Sequence, residues 1–266
     1  MILKPPKGAM VNRGHPLARG LVGCWLMNEG GGTIVNDLSG NGNTGTLVAD
    51  THTVAGKFGP ALSFDGTDDY VTIPSINYAG VSQLTVSFWV KFNAAPTATI
   101  YMLQQGNSAN NRVFNFLVLD GGRTHFTLWN SSAASETGRY DSIITTTNWY
   151  HIVGTYDGAN VRVYVNGILG TYRQGALTGT LEDAVSGGLD QFILGGSLSL
   201  AGVLSSDFAG QIDNVSIYNR ALSAQEILNL YRSPFCMFKP AFDLYLIGGV
   251  SIPGISGGQL IMIQEF

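Results

Sequence analysis

The oxygen-rich stretch 37–45, DLSGNGNTG, has the residue types that a hard cation needs. Asp37, Ser39, Asn41 and Asn43 offer side-chain oxygens, and Gly40 and Gly42 let the intervening carbonyls turn inward. Calcium takes about six to eight oxygens from carboxylates, amides, carbonyls and water. The same residues also build turns held by their own N–H groups, so two readings of the loop stand side by side. The pattern is not an EF-hand, because no Glu follows at the bidentate position. Asp213 lies in a late strand on the face predicted for Val215 and Ile217. An inward carboxylate there demands a metal or a set of N–H donors.

Catalytic patterns are weak. Glycoside hydrolysis needs two carboxylates close together on one face. The glutamates at 29, 136, 182, 226 and 265 form no alternating pair with an aspartate inside a convincing strand. His15, His52, His125 and His151 are scattered, no nucleophile elbow occurs, and no His/Cys cluster has zinc spacing. The expectation is a protein that is not an enzyme. A glycan surface is a different matter: Trp89, Trp129, Arg162 and Tyr164 alternate with apolar neighbours and could face outward as sugar-stacking and hydrogen-bonding groups. Cross-strand packing without a ligand explains the same pattern.

Charge and composition narrow the partners. A net charge of −4 with no basic stripe argues against nucleic acid. No apolar run reaches the length of a bilayer span, and no secretory leader is visible, so the chain is expected on a virion or extracellular particle reached without one. Residues 1–19 carry Lys4, Lys7, Arg13 and Arg19 with three prolines and read as a basic extended arm. Residues 20–232 form the body. Residues 233–266 form an apolar tail whose only charges are Lys239, Asp243 and Glu265, and such a segment must find cover. Phe235, Phe238, Phe242, Leu244, Tyr245 and Leu246 are its candidate assembly residues, for self-association or for docking on another structural protein. Cys24 and Cys236 read as free thiols, or as a pair if the first strand neighbours the post-helix segment.

These residues need elements to position them. In 84–92, LTVSFWVKF, a period of two places Leu84, Val86, Phe88, Val90 and Phe92 on one face, which a helix cannot do. The same signal runs through 149–156 and 161–165, joined by Asp157-Gly158-Ala159-Asn160. Further strands are predicted at 21–27, 61–64, 70–73, 113–119, 124–129, 192–195 and 211–218. One helix is marked by a capping box, Ser223 to Glu226, with Ile227, Leu230 and Tyr231 as its apolar stripe. The fold class is therefore all-β: a two-sheet antiparallel jelly-roll sandwich with one short C-terminal capped helix and extended termini.

Several of these stretches resemble one family. GLVGCWLMNEGGG at 20–32 and DLSGNGNTG at 37–45 are similar to the opening of concanavalin A-like, laminin G-like jelly-rolls of bacterial and phage type. GKFGPALSFDGTDDYVTI at 56–73, the hairpin 148–167 and FAGQIDNVSIYNRAL at 208–222 resemble its later hallmarks. The resemblance implies a structural Ca2+ held by the early loop and an acid of the last strand, at the positions of Asp37, Asn43 and Asp213. It leaves function open, since the fold hosts lectins, accessory modules and virion proteins. The reading is a non-catalytic structural or surface-display subunit, such as a decoration or appendage component of a phage-like particle, assembling through its termini. The alternative is a carbohydrate-binding lectin-like module.

Overall fold

The computed structural model describes residues 2–106, 112–119, 121–132, 134–141, 144, 148–174, 177–181, 191–197 and 208–239. A 3-10 turn at Pro16–Ala18 leads into β1 (Leu21–Trp25), β2 (Ile34–Val35), β3 (Gly45–Val48), β4 (His52–Ala55), β5 (Pro60–Asp65) and β6 (Tyr70–Ile73). Then come β7 (Leu84–Phe92), β8 (Ile100–Gly106), β9 (Arg112–Val118), β10 (Thr124–Trp129), β11 (Ser135–Tyr140) and β12 (Tyr150–Tyr156). The series ends with β13 (Val161–Val165), β14 (Ile168–Leu169), β15 (Tyr172–Gln174), β16 (Phe192–Leu194), β17 (Ala209–Tyr218) and α1 (Ala224–Arg232).

Two antiparallel sheets form. The first runs β14-β13-β12-β7-β17-β5-β4, with β1 paired to β17; the second runs β15-β11-β10-β9-β8-β16-β6-β3-β2. This is the expected jelly-roll sandwich, and β7, β10 and β13 have the predicted bounds. The short or polar strands β2, β3, β4, β8, β11, β14 and β15 escaped the pattern because they lack a sustained apolar alternation.

The inner faces meet through aromatic rings, among them Trp25, Phe64, Phe88, Phe116, Phe126 and Phe192. Phe116 and Phe126 stack with centroids 4.3 Å apart, and Phe88 meets Phe116 edge-on at 5.0 Å. Room for the stack comes from Gly154 on β12, where a Cβ would sit 2.3 Å from Phe126 and 2.5 Å from Phe116. Gly154→Ala should therefore destabilise the chain by about 1–3 kcal/mol through overpacking. Urea unfolding checks this, and an unchanged midpoint would show that the rings can shift at no cost.

A second cluster lies outside the first sheet. Here α1 covers β12, β13 and β17, with Ile227 and Leu230 packed near Val153, Tyr164 and Tyr218. Ser223 accepts the Glu226 N–H and Glu226 accepts the Ser223 N–H, the capping box expected from the sequence.

The termini depart from expectation. The N-terminal segment is irregular in backbone and largely exposed, yet it is anchored rather than free: Val11 bridges Phe238, Asn12 N–H donates to Met237 O at 2.8 Å, and Lys239 N–H donates to Met10 O at 2.9 Å. Leu17 and Val11 join the second cluster, and burying such side chains outweighs leaving the arm free. Phe235 and Phe238, expected to serve assembly, pack on the same cluster and are corrected to intramolecular anchors. Phe242, Leu244, Tyr245 and Leu246 lie outside the described residues. Among the described residues no helix is long and apolar enough to cross a membrane.

Candidate functional site

The loop after β2 is organised by one carboxylate. Asp37 Oδ1 accepts the N–H groups of Cys24 (3.0 Å) and Ser39 (2.8 Å), and Oδ2 accepts the Ser39 hydroxyl (2.7 Å) and the Asn43 N–H (3.0 Å). Asn43 Nδ2 donates to Val22 O at 2.9 Å, and the Trp25 indole donates to Asn43 O at 2.8 Å. Both carboxylate oxygens are thus spent, Oδ1 on fastening the loop to β1 and Oδ2 on closing the loop upon itself.

Asp213 is elsewhere. The register between β17 and β7 slips between Asp213 and Ser216, and Asn214 has a φ of 50°. This bulge reverses the alternation, so Ile212 and Val215 face the core while Asp213 faces outward under the N-terminal segment. There the Lys4 ammonium pairs with Asp213 Oδ1 and also donates to Leu26 O and Pro60 O. Among the described residues no contact joins Asp37 or Asn43 to Asp213. The expected calcium set Asp37, Asn43 and Asp213 does not fit: N–H donors meet one carboxylate, and the chain's own cation meets the other. Burial pushes the Asp213 carboxyl up to about 7 against the opposing pull of Lys4.

The four residues read as a glycan surface do not come together. Trp89 does alternate outward from β7 as predicted, yet it is only 2% exposed. It stacks on His151 (5.0 Å) and Tyr231 (5.7 Å) and meets Phe58 edge-on (5.0 Å). Tyr164 is buried in the second cluster, beneath α1. Both are corrected from sugar contacts to packing residues, because α1 and the termini cover that side of the first sheet. Arg162 binds Asp157 at the β12–β13 turn. Burial raises the Asp157 carboxyl, but Arg162 and the turn N–H groups hold it at about 2.

Trp129 belongs to the other sheet. On β10, Thr124, Phe126 and Leu128 are buried while His125, Thr127 and Trp129 are half-buried and turned outward. The Arg112 guanidinium lies 5.4 Å from the centroid of the Trp129 ring. Cross-strand register then sets Thr127 beside Asn115 and Thr137, Asn115 beside Gln104, Gln104 beside Ile193, and Ile193 beside Thr72. None of these six side chains belongs to the inter-sheet core. Thr127 and Thr137 hydroxyls are 2.9 Å apart, and Thr72 donates to Gln191 Oε1 at 2.6 Å. Asn115 is buried with its Oδ1 unpartnered, and burial, with the neighbouring Arg139 charge, lowers the His125 pKa. Sequence reasoning missed Arg112, Asn115, Gln104 and Thr127. The signal was present as polar residues at alternate positions of 124–129, but β8 carries its glutamines side by side, Gln104 and Gln105, and β9 sets Asn115 alone among apolar residues.

Gln104, Asn115 and Ile193 are buried, so what this outward face presents is the Trp129 ring, the Arg112 guanidinium and the Thr127 and Thr137 hydroxyls on a rigid sheet. Such a set can stack against the C–H face of a sugar and bond its hydroxyls.

A model described as the concanavalin A-like lectin/glucanases superfamily matches residues 65–228. No curated protein matches the chain. Among solved structures, domain 4 of an extracellular arabinanase from Geobacillus stearothermophilus, in complex with arabinotriose, is 23% identical. The match covers 79% of this chain and 98% of that one, with a TM-score of 0.59. The binding domain of Paraclostridial Mosquitocidal Protein 1 is 17% identical, over 83% of this chain and 53% of that one, with a TM-score of 0.65. Trypanosoma rangeli sialidase is 20% identical, over 82% of this chain and 33% of that one, at 0.59. The chain thus spans nearly all of the arabinanase domain, about half of the toxin domain and a third of the sialidase. At these identities the likeness is one of fold.

Proposed function

The chain belongs to the concanavalin A-like lectin/glucanases superfamily, and from that premise we propose that it is a carbohydrate-binding module that works without catalysis. The observation that carries this reading is the partly exposed Trp129 under the Arg112 guanidinium, on the same outward face as the Thr127 and Thr137 hydroxyls. Half-exposed indoles on rigid sheets present apolar area at little entropic cost, and flanking polar groups fix orientation. The arabinanase domain, solved with arabinotriose, supports a sugar as ligand. A non-catalytic role is supported by the described glutamates: Glu29 binds Asn36, Glu226 caps α1, and Glu136 pairs in register with core-facing Leu128.

The test is calorimetric titration of the full chain with arabino-oligosaccharides and sialylated glycans, preceded by a glycan array. Trp129→Ala should weaken binding at least about tenfold, in line with the loss of one anchoring aromatic. Binding that survives Trp129→Ala, or no glycan bound at all, removes this reading.

A second reading is favoured by the composition of 235–266, which carries only three charges. It makes the chain a display subunit of a phage-like particle attached through its C-terminal tail. A chain ending at Lys239 should then keep its glycan and lose attachment or self-association by light scattering. Retained self-association rejects the tail as the means of attachment.

A further inference from the structure

We propose that the glycan taken by the face around Trp129 is a linear acidic chain, a run of uronic acids laid lengthwise along β10 and β11. This rests on the carbohydrate-binding reading above and specifies its ligand. The open part of the face is a strip on two neighbouring strands. His125, Thr127 and Trp129 of β10 and Thr137 and Arg139 of β11 are half-buried, and Ser135 of β11 is exposed. Register sets Trp129 beside Ser135, Thr127 beside Thr137, and His125 beside Arg139. From His125 to Trp129 the strand advances about 13 Å at the rise of an antiparallel strand. One sugar ring stacked on Trp129 cannot reach the far end of the strip. Linked rings can.

Cations stand at both ends. The Arg112 guanidinium lies over the Trp129 ring. At the other end burial first, and then the charges of Arg139 and Arg123, hold the His125 pKa down, with Asp141 opposing. Asp141 pairs with Arg139 Nε at 2.6 Å, while Glu136 takes the core side of β11 opposite Leu128. Among the described residues, three guanidiniums against the Asp141 carboxylate leave the strip positive, although the whole chain carries −4. The placement of these charges chooses among acidic sugars. A glycan with a single terminal acid engages only one end, whereas a carboxylate on every ring meets Arg112 and the Arg123–Arg139 end together. A guanidinium fork also matches a carboxylate in two parallel bonds. A heavily sulfated chain would demand a denser array of cations. Between the two ends the Thr127 and Thr137 hydroxyls, 2.9 Å apart, are placed to bond ring hydroxyls.

The experiment titrates the full chain calorimetrically with oligogalacturonates of increasing length, arabino-oligosaccharides, sialyllactose and heparin oligosaccharides. Oligogalacturonate should bind about tenfold tighter than the neutral chain at low salt, and affinity should rise with length until the strip is spanned. Most of that margin should vanish in about 0.5 M NaCl, where screening acts within about 4 Å. Arg123 is exposed, so Arg123→Gln should fold normally and shrink the margin severalfold, and adding Arg139→Gln should remove it. Equal affinity for neutral and acidic chains, a preference for heparin or sialyllactose, or an unchanged margin in the double variant overturns the proposal and leaves the carbohydrate reading standing. A parent chain that binds none of these glycans defeats both.

Discussion

Lys4→Met should destabilise the folded chain by about 3–5 kcal/mol, far more than a substitution in an N-terminal segment ordinarily does. The Lys4 ammonium and the Asp213 carboxylate are both withdrawn from water, with side chains 2% and 0% exposed. Burial pulls the Lys4 pKa down and the Asp213 pKa up, so each ion persists through the other. Removing the ammonium leaves Asp213 alone in an apolar setting and strips Leu26 O and Pro60 O of a donor. Replacing both partners is a different case, since a buried pair costs nearly as much to desolvate as it returns. Lys4→Met with Asp213→Leu should recover most of the loss. Urea unfolding of the four proteins in the cycle measures this. A single variant that loses under about 1 kcal/mol would show that the pair does not hold the segment.

Acidification should also cost stability through His151, by about 2 kcal/mol at pH 5 relative to pH 7. His151 is fully buried on β12, stacked on Trp89, with Nε2 2.8 Å from the Ser87 hydroxyl. Burial pushes its pKa from 6.5 to about 3. The folded state therefore refuses a proton that the unfolded chain accepts. The contribution is whole above pH 6.5 and is lost as pH falls from there toward 3. Asp213 acts with the opposite sign between about 7 and its unfolded value near 3.8, because its folded carboxyl holds a proton more tightly. The His151 effect must be read as a difference, using His151→Phe, which keeps the stack on Trp89 and cannot titrate. Asp213 contributes equally to both proteins, so the change in unfolding free energy from pH 7 to pH 5 should be about 2 kcal/mol more favourable in the variant than in the parent. The same pH slope in both proteins would falsify the assignment to His151.

Trp89 and Trp129 show where legibility ended. Both sit at outward positions of strands whose bounds were read from the sequence, and both were candidates for one surface. They are on different sheets with different cover. A period of two says which side of a strand a residue takes, but not what lies over that side. The polar row through Gln104, Asn115 and Thr127 was illegible for a related reason: each strand contributes one member, and only sheet order makes them neighbours.

The amino-acid sequence by itself determined the sandwich, its hairpins and the capped helix, because alternation, turn residues and caps act over a few neighbouring positions. It also carried the family, through motifs spread along the body. Tertiary structure alone decided the rest. Asn214 in the left-handed region turned Asp213 away from the core. A lysine 209 positions away in sequence supplied its counter-charge. Contacts between segments so remote depend on how sheets stack and where termini are laid down, and no local pattern encodes that.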